Sequence, residues 1–171
     1  VVPANYSMGI GYLAGQSMTG DANLAIGANA LKTTVSGYNN TALGKNTLQN
    51  ANNSAHDNVA IGYNSQSAVT SGQYNLSIGT DSLVLNTTGS SNVGVGMNAL
   101  RAVTGSDNVG IGGYAGYYNS TGNYNVFIGA SSGTTCLGSD NVVIGRLAGE
   151  GTQATWSYSV YIGYGAGAGA S

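Results

Sequence analysis

Charged side chains are scarce in this chain of 171 residues. Asp, Glu, Lys and Arg together make up 6% of it, where about 25% is usual in a soluble domain. The four basic residues are scattered singly, so no basic stripe exists that could neutralise a phosphate backbone, and we expect no nucleic-acid binding. Disordered chains combine high net charge with few aliphatics. Here the formal net charge is −2 and Val, Ile and Leu recur regularly, which predicts a folded protein.

Cysteine, histidine and long apolar runs are also nearly lacking. Cys136 is the only cysteine, which excludes an intrachain disulfide framework and a cysteine-based metal site. No run of about 18 apolar residues occurs, so we expect no direct membrane insertion by this segment. His56 is the only histidine and stands beside Asp57. We interpret the two as an exposed loop pair, with three copies of His56 holding a metal or anion on a threefold axis as the alternative.

What the sequence has instead is a repeat. The pattern Asn-x-x-(Ile/Leu/Val/Met)-Gly occurs ten times, with openings 16 to 18 residues apart. In the first unit it reads from Asn5 to Gly9, and in the last Ser159 replaces the Asn. Such a period predicts one domain over residues 1–171, in which each unit covers its neighbour's apolar face. The structural repeat is represented by Asn23, Ile26, Gly27, Asn58, Ile61, Gly62, Asn108, Ile111 and Gly112.

Each unit predicts one short strand. In residues 58–62 the apolar second and fourth places alternate with a small third place, which is the period of a strand. Stacking would align the second and fourth places into aliphatic ladders, which we expect to be the core. The small third places would then let another chain approach. The opening Asn is expected to bond to the coils above and below through its amide.

The segment after each motif Gly is expected to be a turn and the start of a return strand. Early units place a Leu in it, as at Leu31 and Leu100, whereas Gly116 and Gly133 replace that Leu later. Glycine removes a side chain and permits positive φ. The later coils are therefore predicted to be slimmer or more sharply turned.

The motifs carry a family resemblance. Residues 23–27 (Asn-Leu-Ala-Ile-Gly) and 58–62 (Asn-Val-Ala-Ile-Gly) resemble the Asn-Ser-Val-Ala-Ile-Gly repeats in the heads of YadA-like trimeric autotransporter adhesins, and residues 40–44 (Asn-Thr-Ala-Leu-Gly) are similar to a variant in bacteriophage tail fibres. The resemblance covers all ten units. It implies an all-β fold, a left-handed parallel β-roll (solenoid) of about ten coils assembled as a homotrimer. It also implies an extracellular location, on a virion tail fibre or a bacterial cell surface.

The predicted function is non-enzymatic attachment, by a trimeric fibre or adhesin segment, to a cell-surface glycan or protein receptor. The alternative is a passive spacer with no ligand of its own. We expect no catalytic residue and no cofactor. Asp21, Asp57, Asp107 and Asp140 precede repeat Asn residues, but the nonapeptide of calcium β-helices is absent, which favours turn chemistry over metal binding. Ice binding is disfavoured because regular Thr-x-Thr ladders are missing.

Three aromatic residues are the candidate binding residues. Tyr117, Tyr118 and Trp156 lie in segments between the strand motifs, where side chains need not serve the ladders. Aromatic rings stack on sugars and anchor protein partners. The alternative is that these rings cover glycine-rich backbone or fill a trimer interface.

Overall fold

The protein is a parallel β-solenoid with one strand per repeat. The computed structural model describes residues 6–33, 36–52, 54–151 and 155–169. Its ten strands form one sheet in chain order, and every neighbouring pair is parallel. The strands are β1 Met8–Ile10, β2 Leu24–Ile26, β3 Thr41–Leu43, β4 Val59–Ile61, β5 Leu76–Ile78, β6 Val93–Val95, β7 Val109–Ile111, β8 Val126–Ile128, β9 Val142–Ile144 and β10 Val160–Ile162.

The motif glycine ends each strand. At Gly27 φ is +126°, and a Cβ there would lie 2.6 Å from the carbonyl carbon of Gly44 in the next coil. The expected return strand is wrong, because the described return segments are turns. In them residues with positive φ, such as Asn29 (60°) and Leu31 (47°), alternate with residues whose φ is not positive, and the chain curls. Backbone bonds between coils continue nonetheless: the Asn29 N–H donates backwards to Tyr12 and the Leu31 N–H forwards to Thr47.

The core lies on the opposite face of the strand from the one we expected. The third place is buried within its own coil in β2 to β9, whereas the second and fourth places are half-buried or exposed in every strand. Ala25 and Ala42 are fully buried against the return residues Leu31 and Leu48. The small third-place side chains therefore face the inside of the coil and admit no second chain. The aliphatic ladders lie outside.

The register of the first unit also differs from the prediction. Met8 pairs with Leu24 and Ile10 with Ile26, so Gly11 and not Gly9 is the motif glycine. Gly11 has a φ of +128°, close to that of Gly27. Ser7 takes the Asn place, and its Oγ accepts a bond from the Asn23 N–H at 3.0 Å. Asn5, the predicted opening residue, lies outside the described residues.

In the later coils, other side chains fill the space of the missing return Leu. Where Gly133 replaces the return Leu, the third place becomes Phe127, which is fully buried. A Cβ on Gly116 in the preceding coil would lie 2.6 Å from the Phe127 ring, and the ring also fills the space beside Gly133. Gly149 is filled in the same way by Val143 and Trp156. In the coil that has both Gly110 and Gly116, Leu100 and Phe127 of the neighbouring coils fill the space. Slimmer or more sharply turned later coils stay a prediction.

An asparagine ladder runs through the turn before the strands, as the sequence predicts. Asn23, Asn40, Asn58, Asn75, Asn92, Asn108, Asn125 and Asn141 are all at most 2% exposed. The backbone N–H of each from Asn40 onwards donates to the side-chain oxygen of the Asn one coil before, at 2.9 to 3.1 Å. Most of the amide groups also donate to a carbonyl one coil ahead, as Asn108 does to Gly122 at 2.9 Å. Each Asn therefore joins three successive coils.

Candidate functional site

The second and fourth strand places form a continuous apolar surface of the solenoid, which we call the aliphatic face. It contains two side chains from each of the ten strands, and none of them is buried. Leu43 is 43% exposed and Ile111 39%. At about 4.8 Å per strand the face is roughly 43 Å long.

The aliphatic face carries no charge. All its side chains are Val, Ile, Leu or Met except Thr41. Charged residues are depleted from the centres of protein interfaces, and a standard interface uses about 20 to 30 residues per side. Contiguous apolar patches this long are rare on monomers and mark association sites. Chemically the face can bind another apolar surface and can perform no reaction.

Tyr117 and Tyr118 belong to a ring cluster on the return side of the solenoid. Their ring centroids are 4.4 Å apart in a T-shaped arrangement, and Tyr114 lies 5.4 Å from Tyr117. The Arg101 guanidinium lies 5.4 Å from the Tyr117 centroid. Tyr118 is 51% exposed. Tyr114 is also exposed, at 40%. The cluster therefore presents two accessible rings, Tyr114 and Tyr118, on either side of the half-buried Tyr117 and its cation.

Trp156 lies elsewhere and has a different environment. It occupies the turn before β10 and packs against the second core cluster, with its ring 5.0 Å from Tyr161. Its backbone oxygen accepts a bond from the Asn141 amide at 3.1 Å. The structure thus brings Tyr117 and Tyr118 together but not Trp156, whose contacts are those of a packing residue.

A second ring cluster surrounds His56. The His56 ring stacks on Tyr38, with centroids 4.6 Å apart and planes within 6°, and meets Tyr74 edge-on at 5.4 Å. Its Nδ1 lies 2.7 Å from Asp57 Oδ2. A hydrogen bond from the Asn39 amide, and then the one from His56, lower the pKa of the Asp57 carboxyl. We did not predict this cluster; the signal is that Tyr38 and His56 stand 18 residues apart, one repeat, at the same turn.

The lone cysteine and the acidic residues form no further site. Cys136 is fully buried, and burial raises the pKa of its thiol to about 11. Among the described residues, no three His, Cys, Asp or Glu side chains come close enough together to hold a metal ion. Within the same residues there is no helix that could cross a membrane.

Three of the basic residues are placed by the repeat. Arg101, Lys45 and Arg146 each lie over a tyrosine ring one coil further on, Lys45 at 5.9 Å from Tyr63 and Arg146 at 4.7 Å from Tyr164.

Protein-family models, curated proteins and solved structures were all compared with this chain. None matches. Support for a function therefore comes from the two surfaces just described, the aliphatic face and the exposed ring clusters.

Proposed function

We propose that this chain is one subunit of a homotrimeric, non-enzymatic attachment fibre located outside the cell, on a virion tail fibre or a bacterial surface. Its three left-handed solenoids pack about a threefold axis through their aliphatic faces and present the tyrosine cluster of Tyr114, Tyr117 and Tyr118 to a surface glycan or protein receptor. The motif resemblance is the basis for the handedness, the number of copies and the location.

The observation that carries the proposal is the uncharged aliphatic face. Twenty ladder side chains per subunit, half-buried or exposed in the single chain, supply an interface of standard size. At about 25 cal/mol per Å² of apolar area, covering such a face with a second copy is strongly favourable. A copy of the same chain is the fitting occupant because identical repeats have the same rise, so the ladders of two parallel solenoids stay in register along their length.

Two measurements test the association: the mass of the wild-type assembly, and the mass of a variant with one charge on the aliphatic face. Light scattering of the wild-type chain should give three times 17.0 kDa, about 51 kDa. Ile111→Asp places a carboxylate in mid-face, where assembly would bury three of them without partners. Because Ile111 is 39% exposed in the single chain, we expect folded monomers. Thr121→Asp, at an exposed turn, is the matched control and should remain trimeric.

A wild-type mass of 17 kDa would refute the assembly, as would an Ile111→Asp variant that stays at 51 kDa with unchanged melting. The passive spacer remains the second candidate function. It predicts the same masses but no binding to target cells, so adhesion by the isolated trimer distinguishes the two.

A further inference from the structure

The His56 cluster forms an isolated projection on the edge of the solenoid. Tyr38, His56 and Tyr74 come from three successive coils at the turn that precedes the strand. The backbone aligns them, since the Asp57 N–H donates to the Tyr38 carbonyl at 3.1 Å and the Tyr74 N–H to the His56 carbonyl at 3.3 Å. Tyr38 is 43% exposed and Tyr74 59%. Two exposed rings are thus held apart by one half-buried imidazole.

Short side chains flank the projection on both sides. The preceding coil carries Asp21 and Ala22 at the same turn, and the following coil carries Ser90 and Ser91. Among the described residues, His56 makes the only ring contact recorded for Tyr38 and for Tyr74. Each tyrosine ring therefore stands beside a shallow recess about one coil wide, some 4.8 Å. The Asp21 carboxylate lies next to the recess at Tyr38, and the hydroxyls of Ser90 and Ser91 lie next to the one at Tyr74.

Fixed polar groups surround the rings. Asp57 is ionised, because its pKa is lowered by the Asn39 amide at 2.9 Å and by His56. When the imidazole is neutral, this carboxylate holds the proton on Nδ1 and leaves Nε2 as an acceptor. The site thus combines rings in mutual contact with acceptors that are held in place by hydrogen bonds within the cluster.

We propose that the His56 cluster is a saccharide-binding site, which takes the apolar face of a neutral hexopyranose against Tyr38 or Tyr74 and its hydroxyls against the neighbouring acceptors. The inference deepens the proposed attachment function and rests on it. A pyranose ring is about as thick as one coil spacing, so it fits the recess beside each tyrosine. Its C–H face suits an aromatic ring and its hydroxyls suit carboxylate and hydroxyl partners. Three copies around the fibre would add weak contacts by avidity.

The repeat supplies conservative variants for the test. Ser91 stands at the place of Tyr74 with a φ of 57°, the same as that of Tyr74, and Ser90 stands at the place of Tyr38. Tyr74→Ser and Tyr38→Ser therefore install residues that the same turn already accommodates. Tyr124→Ser is the control, because Tyr124 occupies the same place in a later coil, is 63% exposed and lies away from His56.

The experiment is a glycan array carrying bacterial outer-membrane polysaccharides in one arm and glycoprotein oligosaccharides in the other. Affinities for the strongest ligands follow by calorimetry with the trimer. The two arms separate the sources of the same pyranose chemistry. We expect wild type and Tyr124→Ser to bind alike, and each cluster variant to lose at least tenfold in affinity with unchanged mass and melting.

Equal binding by all variants would overturn the site while leaving attachment through the tyrosine cluster intact. No binding by wild type to any glycan would overturn the site as well, and retained adhesion to cells would then point to a protein receptor. Loss of trimer mass in Tyr38→Ser and Tyr74→Ser would assign the rings to the subunit interface and also overturn the proposal. Loss of both glycan binding and cell adhesion in wild type would refute the attachment function itself.

Discussion

Replacing one asparagine of the ladder should lower the free energy of unfolding by more than most point mutations do. Asn108 accepts bonds from the Asn125 N–H at 3.1 Å and from the amides of Asn125 and Asn119, and its own amide donates to the Gly122 carbonyl. In Asn108→Ala the Asn125 backbone N–H, one N–H group in each of the Asn119 and Asn125 side-chain amides, and the Gly122 carbonyl lose this partner. Each buried group left unpaired costs about 1–3 kcal/mol. We expect a loss of about 4 kcal/mol per chain in the free energy of unfolding.

The serine variant of the same residue is the control. Ser7 occupies the Asn place in the first coil, where its hydroxyl accepts from the Asn23 N–H at 3.0 Å and donates to the Gly20 carbonyl at 2.8 Å. Those two bonds correspond to the bonds that the Asn108 side chain makes with the Asn125 backbone N–H and the Gly122 carbonyl. Asn108→Ser should therefore lose roughly half as much as the alanine variant, about 2 kcal/mol.

Urea denaturation followed by circular dichroism measures both variants. All samples need one protein concentration, because the stability of the proposed trimer would depend on it. Hydrogen exchange at the Asn125 backbone N–H would show whether its bond to the side chain at position 108 is lost. Equal stability of the alanine and serine variants, or a loss below about 1 kcal/mol for alanine, would contradict the assignment of the ladder as a main stabilising element.

Two further predictions concern Cys136 and Tyr118. The Cys136 thiol, with its pKa raised by burial to about 11, should resist iodoacetamide in the native state at pH 8 and react on unfolding. An unfolded thiol ionises near pH 8.5, so the folded state binds more protons above that pH. Its stability relative to Cys136→Ala should hold below about pH 8.5 and fall as pH rises towards 11, as urea titrations at several pH values would show. A native thiol that reacts as fast as free cysteine would contradict this. Tyr118→Ala should leave mass and melting unchanged and weaken adhesion to target cells about tenfold, or about 1.4 kcal/mol; unchanged adhesion would assign the ring to packing.

The repeat and its parallel strands were predictable because the motif recurs in one register. The inside and outside of the coil were not. Period-two alternation shows that Val59 and Ile61 share one face and that Ala60 occupies the other, but it does not say which face is inside. The coil is so narrow that a third-place Ala opposite one Leu fills it, and the bulkier ladder residues are left outside.

The candidate site was predictable only in part. The tyrosine cluster combines the neighbours Tyr117 and Tyr118 with Tyr114, which all come from one coil, so local sequence pointed to it. The His56 cluster joins residues of three coils, and it becomes visible only when the repeat spacing is used to superpose them. Trp156 packs against the second core cluster, and its turn place, which is Gly138 one coil earlier, gave no sign of this contact.

The reach of the asparagine bonds has a consequence for the length of the solenoid. Because each ladder Asn bonds only to the coils next to it, a chain that gains or loses one whole repeat keeps every remaining bond type, and the rod changes by about 4.8 Å. A single inserted residue in a strand would instead exchange the inner and outer faces. Whole repeats are therefore the natural unit of variation in such a chain. The exception is the region around Phe127, whose ring fills space in the coil before its own. These two coils would have to be inserted or deleted as one unit.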